Sequence, residues 1–271
     1  MNPAAFLGGH QETRGRWSFT IGRELHGAFG GAFGGVVAAA SLVAARSLAP
    51  DRRPSALDCR FLRGLGAGQV TAEAAVVHEG RTLMCVTVDV SDERGRRSTH
   101  STVSLVEPAA LLRHARQPTE APAFVPYEEA APWRNPPGVD APIIETLGPR
   151  SVGQVDGGLA TAIAVPWDED GHDAAAACLA ADLCVGPPVA LALPDEWVPH
   201  PNPDLSLRFC GAVRTDAEVV GVGRLERLDD GLAAVSVAVW SGSQLAAVGV
   251  SSSLLLSTGG GQPGRQGTGR P

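Results

Sequence analysis

The stretch Gly27–Leu48, GAFGGAFGGVVAAASLVAARSL, constrains the fold more than any other. A glycine-rich turn with AFGG written twice runs directly into an apolar segment. Val36, Val37, Ala38, Ala39, Ala40, Leu42, Val43, Ala44 and Ala45 leave that segment almost no polar face. A helix apolar nearly all round is buried on every side. This one is too short and too alanine-rich to span a bilayer, which needs about 20 strongly apolar residues. It therefore reads as a central helix with something wrapped around it, and the next sixty residues have the pattern of a sheet suited to that task.

Composition narrows the chemistry. Apolar residues make up 44% of the 271 positions, but aromatics only 5%, so the core rests on Val, Leu and Ala. The net charge of −7 argues against a nucleic-acid footprint. Every one of the 22 basic residues is arginine, which excludes a Walker-A lysine, a pyridoxal Schiff base and a lysine base. Five scattered cysteines without a C-x-x-C spacing fit buried free thiols in a reducing compartment. The first residues lack a basic start followed by a long apolar run, so no signal peptide is expected. The expectation is a cytoplasmic protein without a membrane span.

Taken in order, residues 1–20 read as a loose lead-in with a short strand near Trp17–Ile21. After the helix, Ala49-Pro50-Asp51 is a stop signal. Strands are expected at Ala56–Leu62, Gln69–Val77, Leu83–Val90 and Ser98–Val106; Met84, Val86, Val88 and Val90 alternate with Cys85, Thr87 and Asp89 at period two. Residues 111–150 are broken by prolines and read as an inter-domain linker draped over a surface. Strand-like composition resumes at Ser151–Val165. Asp173 is placed to cap a second apolar helix, Ala174–Cys184. Four more strands follow, at Leu205–Cys210, Val219–Leu225, Leu232–Trp240 and Leu245–Leu256. The expected organisation is an N-terminal unit over 1–110, the linker, a C-terminal unit over 151–257, and a disordered Gly/Pro/Gln/Arg tail at 258–271.

The two halves match at a nearly constant offset. Arg60-Phe61 falls on Arg208-Phe209, Val70-Thr71-Ala72 on Val219-Val220-Gly221, and Ser104-Leu105 on Ser253-Leu254. Each half is a helix followed by four strands. The physical reading is a duplicated α+β unit, a curled antiparallel sheet around one apolar helix, whose pairing covers the exposed edges.

This pattern resembles the double-hotdog thioesterases of the acyl-CoA thioesterase II-like family. The residues that carry the likeness are Phe33-Gly34-Gly35-Val36-Val37 with Ala38–Ala45, Cys59–Gly64, His78–Arg81, Ala180-Ala181-Asp182-Leu183 and Gly242–Val250. The resemblance implies hydrolysis of acyl thioesters of coenzyme A without metal or cofactor. It also implies an aspartate on the second helix, a hydroxyl early in a following strand and a glutamine in the last strand, acting together on water. Asp182 stands at the aspartate position. It is the only charge within Ala174–Val185, so it is expected half-buried beside apolar walls, with a raised pKa suited to a general base; the bland alternative is a solvent-facing or capping residue. The glutamine position holds Ser251, with Ser252 and Ser253 beside it. The hydroxyl position falls near Arg224 or Leu225, neither of which suits water activation.

The glycines admit two compatible readings. Gly30, Gly31, Gly34 and Gly35 lie at a helix start, where unpaired N–H groups can stabilise a developing oxyanion, or they serve tight packing against the other half. The candidate oxyanion and substrate-binding set is Gly34, Gly35, Val36, Ala181, Ser253 and His26; an apolar tunnel between the halves, ending near the FGG turn, would take the acyl chain. His26 could equally be a surface histidine. Asp168-Glu169-Asp170 with His172 has no later ligand to complete a metal site, and no G-x-S-x-G elbow is present. The functional expectation is a thioesterase acting on acyl-CoA or a carrier-protein-bound acyl chain through carboxylate-activated water, in single chains or homo-oligomers. The alternatives are a non-hydrolytic acyl-thioester-binding or assembly protein, and a lyase or dehydratase on the same fold.

Overall fold

The computed structural model describes residues 1–112, 120–135, 138–168, 173–193, 198–213 and 218–257. The tail expected at 258–271 and most of the acidic turn at 168–172 lie outside them, as does the Asp173 side chain expected as a cap. The strands are β1 (Gly9–Thr13), β2 (Arg16–Ile21), β3 (Arg53–Phe61), β4 (Gly68–Glu79), β5 (Leu83–Asp92) and β6 (Arg97–Val106), then β7 (Ala131–Pro132), β8 (Arg150–Val155), β9 (Gly158–Ile163), β10 (Asp204–Phe209), β11 (Val219–Asp229), β12 (Leu232–Ser241) and β13 (Gln244–Leu254). The helices are α1 (Pro3–Phe6), α2 (Gly34–Arg46), α3 (Ile143–Leu147), α4 (Asp173–Leu183) and α5 (Gly186–Leu191).

The thirteen strands of the described residues form one sheet, in the order β1-β2-β4-β5-β6-β3-β10-β13-β12-β11-β9-β8-β7. Helix α2 packs on the strands of the first half and α4 on those of the second, and the two helices touch each other. Every residue of α2 from Gly35 to Ala45 is buried, as a segment without a polar face requires. The one hydroxyl there is satisfied internally: Ser41 Oγ donates to the Val37 carbonyl at 3.0 Å.

The halves join at the β3–β10 pair. These strands are antiparallel, with Asp58 opposite Ser206. Those positions differ by 148 (206 − 58), the offset at which Arg60-Phe61 repeats as Arg208-Phe209. Two equivalent antiparallel strands meet in this register when a local two-fold axis passes through the pair. The repeated arginines act alike: Arg60 Nη1 reaches Asp204 Oδ2 at 2.6 Å, and Arg208 Nη1 reaches Asp58 Oδ1 at 3.1 Å, each across the junction.

Two expectations change. Residues 1–20 are not a loose lead-in: α1, β1 and β2 extend the sheet, and Leu7 and Phe19 are fully buried. The proline-rich stretch is more than a surface drape. Ile143 and Leu147 of α3 are buried in the main core, and the Ile143 N–H donates to the His26 carbonyl. Prolines prevented a long element there, but did not prevent apolar residues from docking. The stretch Ala174–Leu191 is long and apolar enough to cross a membrane, yet 78% of it is buried inside the protein, as a core helix is.

Candidate functional site

Asp182 sits where the helix pair meets the surface of the core. It is the tenth residue of the eleven-residue α4, and its side chain crosses to the N-terminus of α2. The Gly35 N–H donates to Asp182 Oδ2 at 2.8 Å, and the Asn202 amide donates to Oδ1 at 2.6 Å. Helix α2 has no side-chain cap of its own, since its N-cap is Phe33. A carboxylate from the other half of the chain takes that place, where the helix dipole favours negative charge.

This geometry explains the FGG turn. A Cβ on Gly34 would stand 2.9 Å from Asp182 Oδ2 and 2.9 Å from the Phe61 ring. A Cβ on Gly35 would stand 2.7 Å from the Cys178 carbonyl oxygen and 3.0 Å from Leu179 Cα. Only glycine lets α2 approach α4 this closely and leaves the carboxylate room. The oxyanion role expected of Gly35 is corrected accordingly: its N–H already serves Asp182. The N–H of Gly34 also acts on that carboxylate. Tight packing is the reading the contacts carry.

Asp182 is more buried than the sequence implies, with 6% of its surface exposed. Burial pushes its carboxyl from 3.8 up to about 6, against the lowering effect of Asn202 and the two glycine N–H groups. The folded carboxyl thus holds its proton to higher pH than the unfolded chain does. Its contribution to stability is full below the unfolded value of 3.8 and is lost as pH rises through about 6. At about 1.4 kcal/mol per pH unit, the loss is roughly 3 kcal/mol. Urea unfolding should show this loss between pH 4 and pH 7.5 in the parent protein, and much less of it in Asp182→Asn. Equal pH dependence in both would remove Asp182 as its source.

Asp182 and Asn202 lie on the wall of a cavity of about 440 Å³. The FGG turn forms one side through Phe29, Ala32, Phe33 and Gly34. Helix α5 contributes Pro187 and Ala190, and the proline-rich stretch contributes Trp133, Val139, Ile143 and Ile144. The interior is therefore mostly apolar with a few convergent polar groups, the usual composition of a small-molecule site. Three of those groups are Thr99, His200 and the exposed Arg63.

The structure places the expected site residues unevenly. Asp182 and Gly34 line the cavity, and Gly35 binds Asp182. Val36, Ala181, His26, Ser251 and Ser253 are not on its wall. Val36 and Ala181 are fully buried in the helix interface. The Ser251 hydroxyl donates to the Asp204 carbonyl at 2.6 Å, inside the β10–β13 junction. Ser253 is 1% exposed, and its hydroxyl finds no partner among the described residues. The His26 ring has a buried Nε2 with no partner there either. Arg224 pairs with Glu226 at the surface, and Leu225 packs against the core, so neither lies at the carboxylate.

Asn202, His200 and Thr99 went unnoticed in the sequence. Asn202 and His200 lie in a proline-rich loop, where neither periodicity nor a motif marks them, and Thr99 reads as an ordinary strand residue. The signal available was polarity next to proline: His200-Pro201-Asn202-Pro203 is a loop stiff enough to hold an amide in place. The Asn202 amide lowers the Asp182 pKa. Asn202→Ala is therefore expected to raise it further and to move the acid limb of any Asp182-dependent rate to higher pH, as a pH–rate profile would record.

Buried thiols offer no alternative nucleophile. Burial pushes Cys59 up to about 12 and Cys178 and Cys184 well above the ordinary thiol value.

Comparison with known proteins agrees with this architecture. Residues 23–106 match the family described as the acyl-CoA thioesterase N-terminal domain. A candidate thioesterase from Novosphingobium aromaticivorans is 25% identical, with a TM-score of 0.78 over 92% of this chain and 99% of its own. A protein of unknown function with a hot dog fold, from Alicyclobacillus acidocaldarius, shares 21% identity and a TM-score of 0.75 over 94% of this chain and 98% of its own. An acyl-CoA thioesterase II, TesB2, from Mycobacterium marinum shares 17% identity and a TM-score of 0.73 over 94% of this chain and 98% of its own. No match was found among curated protein sequences. The FGG helix lies inside the segment that matches the acyl-CoA thioesterase N-terminal domain, and the fold of the chain as a whole is that of these solved hotdog structures.

Proposed function

We propose that the chain is a double hotdog in which only the α4 carboxylate site does chemistry, and that it hydrolyses acyl thioesters there. The observation that carries this reading is Asp182, a buried carboxylate with a pKa of about 6 on the wall of an apolar cavity. A water bound to Asp182 attacks the thioester carbonyl carbon, and the carboxylate takes its proton. The tetrahedral intermediate then collapses, the carbon–sulfur bond breaks, and the proton passes from Asp182 to the departing thiolate. Acid and thiol leave.

The Asn202 amide carries two N–H donors. One holds Asp182 in place, and the other is available to the water or the carbonyl oxygen. Arg63, exposed on the cavity wall, is the arginine among the described lining residues and suits the phosphates of a coenzyme A or phosphopantetheine carrier. Ser251 has no part in this scheme, because its hydroxyl is committed to Asp204.

Thiol release from a panel of acyl-CoAs tests the reading; turnover with at least one chain length supports it. Binding of acyl-CoA without turnover would favour an acyl-thioester-binding protein, which the absence of Ser251 and Ser253 from the cavity wall also allows. Chain length is set by the far wall. Ala190 lines the cavity and Ala181 does not, so Ala190→Trp should shift the preferred acyl chain to shorter lengths. An unchanged chain-length profile would place the acyl group elsewhere.

A further inference from the structure

The helix pair has a second end. Helices α2 and α4 run antiparallel, so the C-terminus of α2 lies beside the N-terminus of α4, at the far side of the core from Asp182. A second cavity of about 380 Å³ opens there. Leu42 and Val43 of α2, Ala174 and Ala175 of α4, and Phe209 of β10 give it apolar walls. Under the local two-fold this is the counterpart of the Asp182 cavity.

Among the described residues, the side chains at this counterpart carry the opposite charge. Where α4 presents Asp182 in its last turn, α2 presents Arg46 in its own. Arg52 and Arg53 join Arg46 on the wall, and among the described lining residues the acidic side chain is Asp51. Two of the lining residues also carry buried donors that find no acceptor among the described residues, Trp17 Nε1 and Arg52 Nη1. The other arm of Arg52 is fixed, since Nη2 donates to the Gly80 carbonyl at 2.8 Å. Buried donors without acceptors are costly and uncommon in folded proteins. Guanidinium groups beside an apolar chamber match an anionic head on an apolar body.

We propose that this second cavity binds an amphipathic anion, a carboxylate or phosphate head on a short apolar chain. The site stands on its own arginines and does not depend on the thioesterase reading. The acid that thioester hydrolysis would release is one member of this ligand class.

Isothermal titration of the full chain with hexanoate, hexyl phosphate and hexanol tests the proposal and separates the two head groups. Saturable binding of either anion, retained in Asp182→Asn, is expected. Arg46→Met should weaken it by about tenfold or more, the effect of losing roughly 1.4 kcal/mol of interaction. Arg53→Glu, at an exposed position that disturbs no core packing, should weaken it in the same direction and guards against misfolding of the first variant. Quenching of fluorescence that disappears in Trp17→Phe would place the ligand in this cavity. Three results would overturn the proposal: no saturable binding of either anion, hexanol binding as tightly as hexanoate, or binding lost in Asp182→Asn but kept in Arg46→Met and Arg53→Glu.

Discussion

Replacing Asp182 by asparagine is expected to lower kcat on acyl-CoA by about 100- to 10,000-fold, the usual contribution of general-base catalysis. The amide keeps the shape of the carboxylate and can still accept from the Gly35 N–H, which donates at 2.8 Å in the parent protein. It cannot take a proton from water. The substitution also removes a buried charge that burial already disfavours, so the variant should be at least as stable as the parent at neutral pH. The separation of effects matters: lost turnover with retained stability identifies a chemical role, whereas loss of both would identify Asp182 as the cap that holds α2 to α4. Thiol release and urea midpoints on the same preparations distinguish the two.

The largest expected effect on stability comes from Gly223→Ala. A Cβ on Gly223 would stand 1.9 Å from the Cys184 carbonyl oxygen. Gly221, on the same face of β11, is as restricted: its Cβ would stand 2.4 Å from the Ala180 carbonyl oxygen. The backbone of α4 at Ala180 and of Cys184, just past its end, rests directly on these two glycines, and a backbone carbonyl cannot swing aside as a side chain can. The helix must move outward, which costs about 3 kcal/mol at the upper end of ordinary overpacking. For a chain of this size that is a fall in Tm of roughly 5–10 °C. Asp182 lies two residues before Cys184, so turnover should fall as well. Gly66→Ala is the control, because a Cβ there meets nothing within 4 Å; it should leave Tm within about 1 °C, as surface changes usually do. Equal melting of Gly223→Ala and the parent would mean that α4 does not rest on β11 as described.

Much of the fold was legible because it rests on periodicity and repetition. The all-apolar segment after the FGG turn could only be a buried helix. The alternation at Met84–Val90 predicted a strand with one face on that helix, and the 148-residue offset predicted strands that meet at the junction of the halves. The lead-in and the proline-rich stretch were misjudged for a common reason. Both lack periodicity, and their structure comes from long-range docking: Phe19 and Ile143 are buried by residues far away in the chain.

Of the candidate site, the sequence marks Asp182, the lone charge within Ala174–Val185. It does not mark the partners of that carboxylate. Asn202 reaches it from a loop that no pattern marks, and Ser251 was assigned by position in a strand whose register directs its hydroxyl to Asp204 instead. The glycines stand out in the sequence, but their purpose does not. A turn of glycines can expose N–H groups to a ligand or bring two backbones together, and only the Cβ distances to Cys178 and Asp182 choose the second.

The pH dependence of kcat on an acyl-CoA that the protein hydrolyses tests the central claim most directly. A base with a pKa of about 6 predicts a rate that rises with pH, reaches half its plateau near pH 6 and stays level through pH 8. Asp182→Asn should show a low residual rate without that limb, and Asn202→Ala should show the limb at higher pH. A parent rate that is level from pH 5 to 8, or a limb near pH 6 that survives in Asp182→Asn, would contradict the assignment of Asp182 as the base.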